Sequence, residues 1–224
     1  MPVSELTDEQ MRKMDERRSE LSFRKGELMT KQGMLMSHIF YVCKGFAKLY
    51  LENSGERIIV GIARPGSFIG IQSLYGEPVF PFSAEAMTDT EVCLKDIQVF
   101  RALVLENSAF AKGIIEILNR DLMQSYNRMF SLTSKQIDGR FAELLVFLAN
   151  VFYKSNPFHL TISRREIAEL ISTSAESVSR LISKFKADGI IRGSGHNIEL
   201  TDLPALEALC QCKMLDTAGR WNSE

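Results

Sequence analysis

Glu176, Ser179 and Arg180 stand at i, i+3 and i+4, a spacing that gathers three hydrogen-bonding side chains on one face of a helix. Their types suit the edges of base pairs. Arginine can donate twice to guanine O6 and N7, glutamate can accept from cytosine N4, and a serine hydroxyl can do either. Val178, Leu181, Ile182 and Phe185 fall on the opposite face, so the segment has a core side and an outward side. Taken alone, a Glu–Arg pair four residues apart is a solvated ion pair of about 0.2–0.5 kcal/mol. The elements around the trio decide between the two readings.

Ser163-Arg-Arg-Glu166 has the form of a capping box and opens a short helix from Arg164 to about Leu170. Ser172-Thr173 turns the chain, at a place where glycine is common, and Ser174 or Thr173 caps a second helix reaching Ala187. Asp188-Gly189 stops it, and Ile190–Arg192 and Asn197–Leu200 flank Gly193-Ser-Gly195-His196 as a hairpin, with Leu160–Ile162 a short strand. Two short helices joined by a tight turn and followed by a small hairpin form a winged helix-turn-helix, whose second helix enters the major groove by its N-terminal end. On that element base readout is the expectation for Glu176, Ser179 and Arg180, with Ser174, Arg164 and Lys184 completing the expected DNA-binding set. Between Thr161 and Arg192 six basic residues face four acidic ones, a local +2 within a chain of net charge −1. That balance supports a nucleic-acid face only weakly.

The chain has 224 residues, comfortable for two domains, with 45% hydrophobic and 25% charged residues. No apolar run approaches the roughly 18 residues of a membrane span, and Met1–Glu20 alternates charges without an apolar core, so cytoplasm is the expected compartment. Cys43, Cys93, Cys210 and Cys212 have the spacing neither of a disulfide framework nor of a paired zinc site, and read as reduced structural cysteines.

Thr7-Asp-Glu-Gln10 is a capping box for a charged helix running to about Glu20. From Leu21 to about Ile97, short stretches such as Ile39–Val42, Phe46–Leu51 and Arg57–Ile62 are broken by glycines, and Asn53-Ser54-Gly55 signals a hairpin. Many short strands at regular spacing predict a small barrel or jelly roll. From about Ser108 to Gln136 the period becomes helical. Ile115, Leu118, Leu122, Ser125, Met129 and Leu132 form an alternating three- and four-residue seam with polar neighbours, a narrow stripe that suits a parallel coiled-coil homodimer. A further helix starts at Asp138 and ends before Asn156-Pro157. The predicted class is α+β: an N-terminal helix and β-roll sensor (1–107), a dimerisation helix (108–137), the winged helix-turn-helix (138–213) and a tail (214–224).

Phe23-Arg-Lys-Gly-Glu27 with Gln32-Gly33, Val42-Cys-Lys-Gly45, Pro65-Gly-Ser-Phe-Ile-Gly70 and Ile162–Arg192, in this order, resemble the cyclic-AMP receptor protein / fumarate-nitrate-reduction regulator (Crp/Fnr) superfamily over about residues 20–205. The resemblance implies a cyclic-nucleotide-binding-like β-roll, double-stranded DNA and RNA polymerase as partners, and transcription regulation as a homodimer. Glu176, Ser179 and Arg180 resemble the Fnr-like branch, which implies palindromes of TTGAT half-sites, whereas Ala175 stands where the cyclic-AMP-sensing member carries an additional arginine.

The tentative effector pocket is Gly70, Ile71, Phe82, Ser83 and Ala84. Nucleotide-binding relatives carry a glutamate at the Ile71 position and an arginine at the Phe82 position. Without that cation a buried phosphate has no charge partner, so cyclic AMP is not the expected effector. An iron–sulfur cluster needs four thiolates, and the N-terminal cysteine cluster of the branch founder is missing, although Cys93 resembles its internal cysteine. Haem stays open as a cofactor, with His38, His159 and His196 read as structural or solvated, and the signal stays unidentified. The competing reading is a cupin-like β-roll that is regulatory or enzymatic without touching DNA. Three scattered histidines cannot build the metal site such an oxygenase needs, so no enzyme is expected.

Overall fold

The computed structural model describes residues 5–15, 19–54 and 56–210, which fall into two compact units, one up to residue 126 and one from 127. In the first unit α1 (Asp8–Asp15) is opened by the Thr7–Gln10 box: Gln10 N–H donates to the Thr7 hydroxyl at 3.3 Å and Thr7 N–H to the Gln10 side chain at 3.1 Å. The helix stops short of the expected Glu20. Ser19–Phe23 is instead β1, because its backbone pairs antiparallel with β8 (Thr90–Asp96), and a ladder satisfies those amides where a charged helix end would leave them to water.

The strands β2 (Leu28–Thr30), β3 (His38–Lys44), β4 (Ala47–Asn53), β5 (Glu56–Ala63), β6 (Phe68–Ile69) and β7 (Ser83–Ala86) complete two four-stranded antiparallel sheets. Their orders are β1-β8-β3-β6 and β2-β7-β4-β5. The predicted hairpin is the β4–β5 turn, where Asn53 pairs with Glu56 and Ser54 takes φ 52°. Residues of both sheets share one core, from Val42 and Ile39 to Ala84 and Phe68, closed by Phe100 of α2 (Ile97–Glu106) and Phe110. Phe100 meets Phe68 and Phe110 edge-on, with centroids 5.6 and 5.2 Å apart. Gly70 turns with φ 94°, and a Cβ there would stand 2.6 Å from the Met36 sulfur, so no larger residue fits without movement.

The long helix α3 spans Ser108–Ser134 without a break, as the helical period predicts. In the second unit α4 (Ile137–Phe147) runs into one turn of π-helix over Leu148–Phe152. Then follow β9 (Phe158–His159), α5 (Arg164–Ile171), α6 (Ala175–Ala187), β10 (Ile191–Arg192), β11 (Asn197–Leu200) and α7 (Leu203–Cys210). The three strands order β10-β11-β9. The ladder takes Phe158–His159 rather than the expected Leu160–Ile162: past Leu160, whose N–H still reaches His196 O at 2.8 Å, the Thr161 N–H is taken by the Tyr153 hydroxyl. The core gathers Phe141, Leu145, Leu148, Ile167, Val178, Phe185, Ile198 and Leu206. Phe141 and Phe185 lock α4 to α6 edge-on at 5.1 Å. The tail from 211 lies outside the described residues.

Candidate nucleic-acid interface

Local hydrogen bonds set the helix-turn-helix. The Ser163 hydroxyl accepts from Glu166 N–H at 3.1 Å while Ser163 N–H donates to the Glu166 carboxylate at 2.6 Å, which fixes the start of α5. Ser172 closes α5 in the left-handed region (φ 51°, ψ 66°), the conformation for which glycine would be the cheaper residue. Ser174 then caps α6, its hydroxyl accepting from Ser177 N–H at 3.2 Å. Val178, Leu181 and Phe185 are buried, which turns the opposite face of α6 outward.

On that outward face Glu176 and Arg180 are exposed and Ser179 is half-buried. The i,i+4 ion pair does not form among the described residues. Arg180 instead donates to the Ser177 hydroxyl at 3.0 Å, and Ser179 donates back to Ala175 O at 3.1 Å, leaving its oxygen lone pairs outward. Arg164 is exposed at the start of α5. Lys184 differs from the others: its ammonium sits 2.6 Å from the Asp138 carboxylate of α4, and that hydrogen bond holds its pKa above the usual value.

A buried polar clamp ties the end of α3 to the helices behind α6. Arg128 donates to Leu170 O at 2.9 Å, capping the C-terminus of α5, and its burial lowers its pKa. Ser131 donates to Glu143 of α4 at 2.5 Å, and the Lys135 ammonium, with a side chain 2% exposed, pairs with the same carboxylate. Gly139 of α4 leaves room for α7: a Cβ there would lie 2.6 Å from Leu209 O.

The expected effector residues are mostly interior. Ile71 is 1% exposed, Ala84 0%, and Ser83 1%, its hydroxyl accepting from Gln32 N–H at 3.0 Å. Phe82 packs half-buried against the core, and Gly70 lies against Met36 and Phe80. Ile71 and Phe82 thus present apolar side chains there, with neither a carboxylate nor a cation. A groove of about 520 Å³ lies elsewhere in the first unit, between Arg64–Ser67 and the Lys112, Glu116 and Asp121 face of α3. No group of three or more metal-ligating side chains occurs among the described residues. The histidines have partners: His38 Nδ1 meets the Ser37 hydroxyl, His159 the Asn197 side chain and His196 Leu160 O.

Along α3 Ile115, Leu122 and Met129 are 58%, 48% and 60% exposed, and Ser125 is exposed. Leu118 is half-buried against the β-roll core, and Leu132 is half-buried. The exposed apolar stripe also takes in Met123, Tyr126 and Phe130, which the seam did not include. A second heptad relation, Met123 to Phe130, marks them in the sequence.

Residues 20–107 match the cyclic nucleotide-binding domain family and residues 139–209 the Crp-like helix-turn-helix domain family. The nitrogen fixation regulation protein FixK of Bradyrhizobium diazoefficiens is 32% identical over 176 residues, covering 76% of this chain and 73% of that protein. The chain belongs to the Crp/Fnr family. Another relative of this Crp/Fnr regulator is the transcriptional activator protein Anr of Pseudomonas protegens, 29% identical over 76% of this chain and 72% of its own. The solved structure of FixK2 from Bradyrhizobium japonicum superposes with a TM-score of 0.78 at 26% identity, over 86% of this chain and 96% of that one. The Crp/Fnr chain is a DNA-binding transcription regulator and not an enzyme, as the sequence reading expects. The β-roll, long helix and winged helix-turn-helix are its architecture, and no helix among the described residues is long and apolar enough to cross a membrane.

Proposed function

We propose that this regulator acts as a homodimer on palindromes of TTGAT type, reading bases through Glu176, Ser179 and Arg180. The observation that carries the reading is the outward face of α6: Glu176 and Arg180 are exposed near the capped N-terminus and not neutralised by each other. Ser174 and Arg164 flank them as backbone contacts, and Lys184 joins only by leaving Asp138. The exposed stripe Ile115–Leu122–Met129, widened by Met123, Tyr126 and Phe130, is the surface for a second copy. Pairing there spaces two recognition helices about 34–36 Å apart, one DNA turn. In this reading the β-roll (1–107) senses a small-molecule, redox or gas signal other than cyclic AMP, residues 108–137 couple it to the DNA-binding residues 138–213, and the bound dimer works with RNA polymerase in the cytoplasm.

Fluorescence anisotropy at fixed salt on a TTGAT-N4-ATCAA duplex, a TGTGA palindrome and a scrambled duplex tests the readout. The wild type is expected to prefer the first. Arg180→Ala is expected to lose about tenfold to hundredfold on it and little on the scrambled duplex. An equal loss on all three would make Arg180 a phosphate contact and sink the proposed half-site.

A further inference from the structure

Cys43 and Cys93 are far apart in sequence, yet their sulfurs lie 2.7 Å from each other. Topology explains it. β3 and β8 pair with Tyr41 opposite Cys93 and Lys44 opposite Glu91, and the register shifts between Val42 and Lys44. Cys43 is the extra residue of that bulge, and bulges re-aim side chains. Here the bulge brings Cys43 onto its diagonal neighbour. The two thiols are unequal: Cys43 is exposed, whereas Cys93 is 4% exposed beneath it. The Glu20 carboxylate lies 4.0 Å from the Cys93 sulfur. Burial, followed by the two neighbouring sulfurs, holds the Tyr41 phenol above its ordinary pKa.

We propose that Cys43 and Cys93 form a redox site, in which the Cys43 thiol reacts with a hydroperoxide and closes onto Cys93 as an intramolecular disulfide. In the first step the Cys43 thiolate attacks one peroxide oxygen. The O–O bond breaks, leaving a sulfenic acid on Cys43, and the departing oxygen takes up the proton the Cys43 thiol released and leaves as an alcohol or as water. In the second the Cys93 sulfur attacks the Cys43 sulfur and the S–O bond breaks, while Glu20 takes the Cys93 proton and passes it to the departing hydroxyl, which leaves as water. Two thiols thereby lose two electrons and two protons, and the peroxide is reduced. Bond formation needs the sulfurs to close from 2.7 Å to about 2.0 Å across strands already held by a hydrogen-bonded ladder. An exposed thiol with a resolving partner in contact is the arrangement of a reversible sensor rather than of a structural cysteine. Cys210, in the second unit, is buried and does not share this arrangement.

The test treats the purified full chain with one equivalent of hydrogen peroxide, then counts thiols and maps peptides by mass spectrometry. The expected result is loss of two of the four thiols, a linked peptide pair holding Cys43 and Cys93, and full recovery with dithiothreitol. Cys43→Ser, an exposed position, is expected to keep its remaining thiols under the same treatment. The peptide map of the wild-type chain decides without any variant. Cys43 carried to sulfinic acid while Cys93 stays reduced, or a bridge formed only by Cys210, Cys212 or a second chain, would overturn the proposal.

Discussion

Asp121 shows how one side chain can carry a pH dependence. It lies on α3 at the groove, where the Gln72 amide donates to its carboxylate at 3.2 Å. Burial lifts its pKa from 3.8 to about 6, against the opposing pull of Arg120. The folded chain therefore holds a proton, between roughly pH 4 and 6, that the unfolded chain releases. The stabilisation this gives is fully present below the unfolded pKa and is lost as pH rises through about 6. Asp121→Asn is expected to raise stability at pH 7.5 by about 1–2 kcal/mol, after allowing for solvent screening, and by almost nothing at pH 4. Thermal melts of both proteins across that range check it, and a constant offset at every pH would refute it. At this scale the sequence was informative where partners are close: the trio on α6 follows from spacing alone. Gln72 beside Asp121, Asp138 on Lys184 and Cys93 against Cys43 were not legible, because each partner is more than 40 residues away.

Among elements, the ends of helices were easier to read than the edges of sheets. Thr7–Gln10 and Ser163–Glu166 each close within four residues, so their capping boxes appear in the sequence and again in the hydrogen bonds. β1 pairs with residues 67–75 positions away and β9 with residues 38–40 away, and local pattern gave the first two residues of β1 to a helix and put β9 two residues late. Ser172 lies between these cases: a turn was expected there, and the left-handed backbone shows why glycine is its usual occupant. The clamp on Glu143 was not legible at all, since nothing in a helical period distinguishes a buried lysine from a solvated one. Removing the carboxylate with Glu143→Ala takes the counter-charge from a 2% exposed ammonium and is expected to cost about 3 kcal/mol in urea unfolding. Adding Lys135→Met is expected to recover part of that loss, because it removes one buried charge while Arg128 and the Ser131 hydroxyl still lack the carboxylate. A double variant as weak as the single one would show that the ion pair is not the source.

For the whole molecule, a β-roll, a long helix and a helix-turn-helix are legible in the sequence, and all three are present. The seam was legible as period but not as orientation. Periodicity says which residues share a face, while only packing shows that Leu118 leans on the β-roll and that Met123, Tyr126 and Phe130 point outward. The compact units likewise divide at residues 126 and 127, inside α3, where no change of composition marks a boundary. If the stripe joins two copies, charges at Leu122 and Met129 together break it. Sedimentation velocity is expected to show the Leu122→Glu, Met129→Glu chain at half the wild-type mass, with its two compact units still folded by circular dichroism. An unchanged mass would remove this stripe as the interface. The Lys184–Asp138 contact has a further consequence, for the ionic atmosphere of DNA. A cation that neutralises a phosphate releases a condensed counterion, and this steepens the fall of affinity with salt. Lys184 already carries its counterion as a side chain, so reaching a phosphate means breaking the pair with Asp138. A lysine that must first break an ion pair adds less to that slope than a free one.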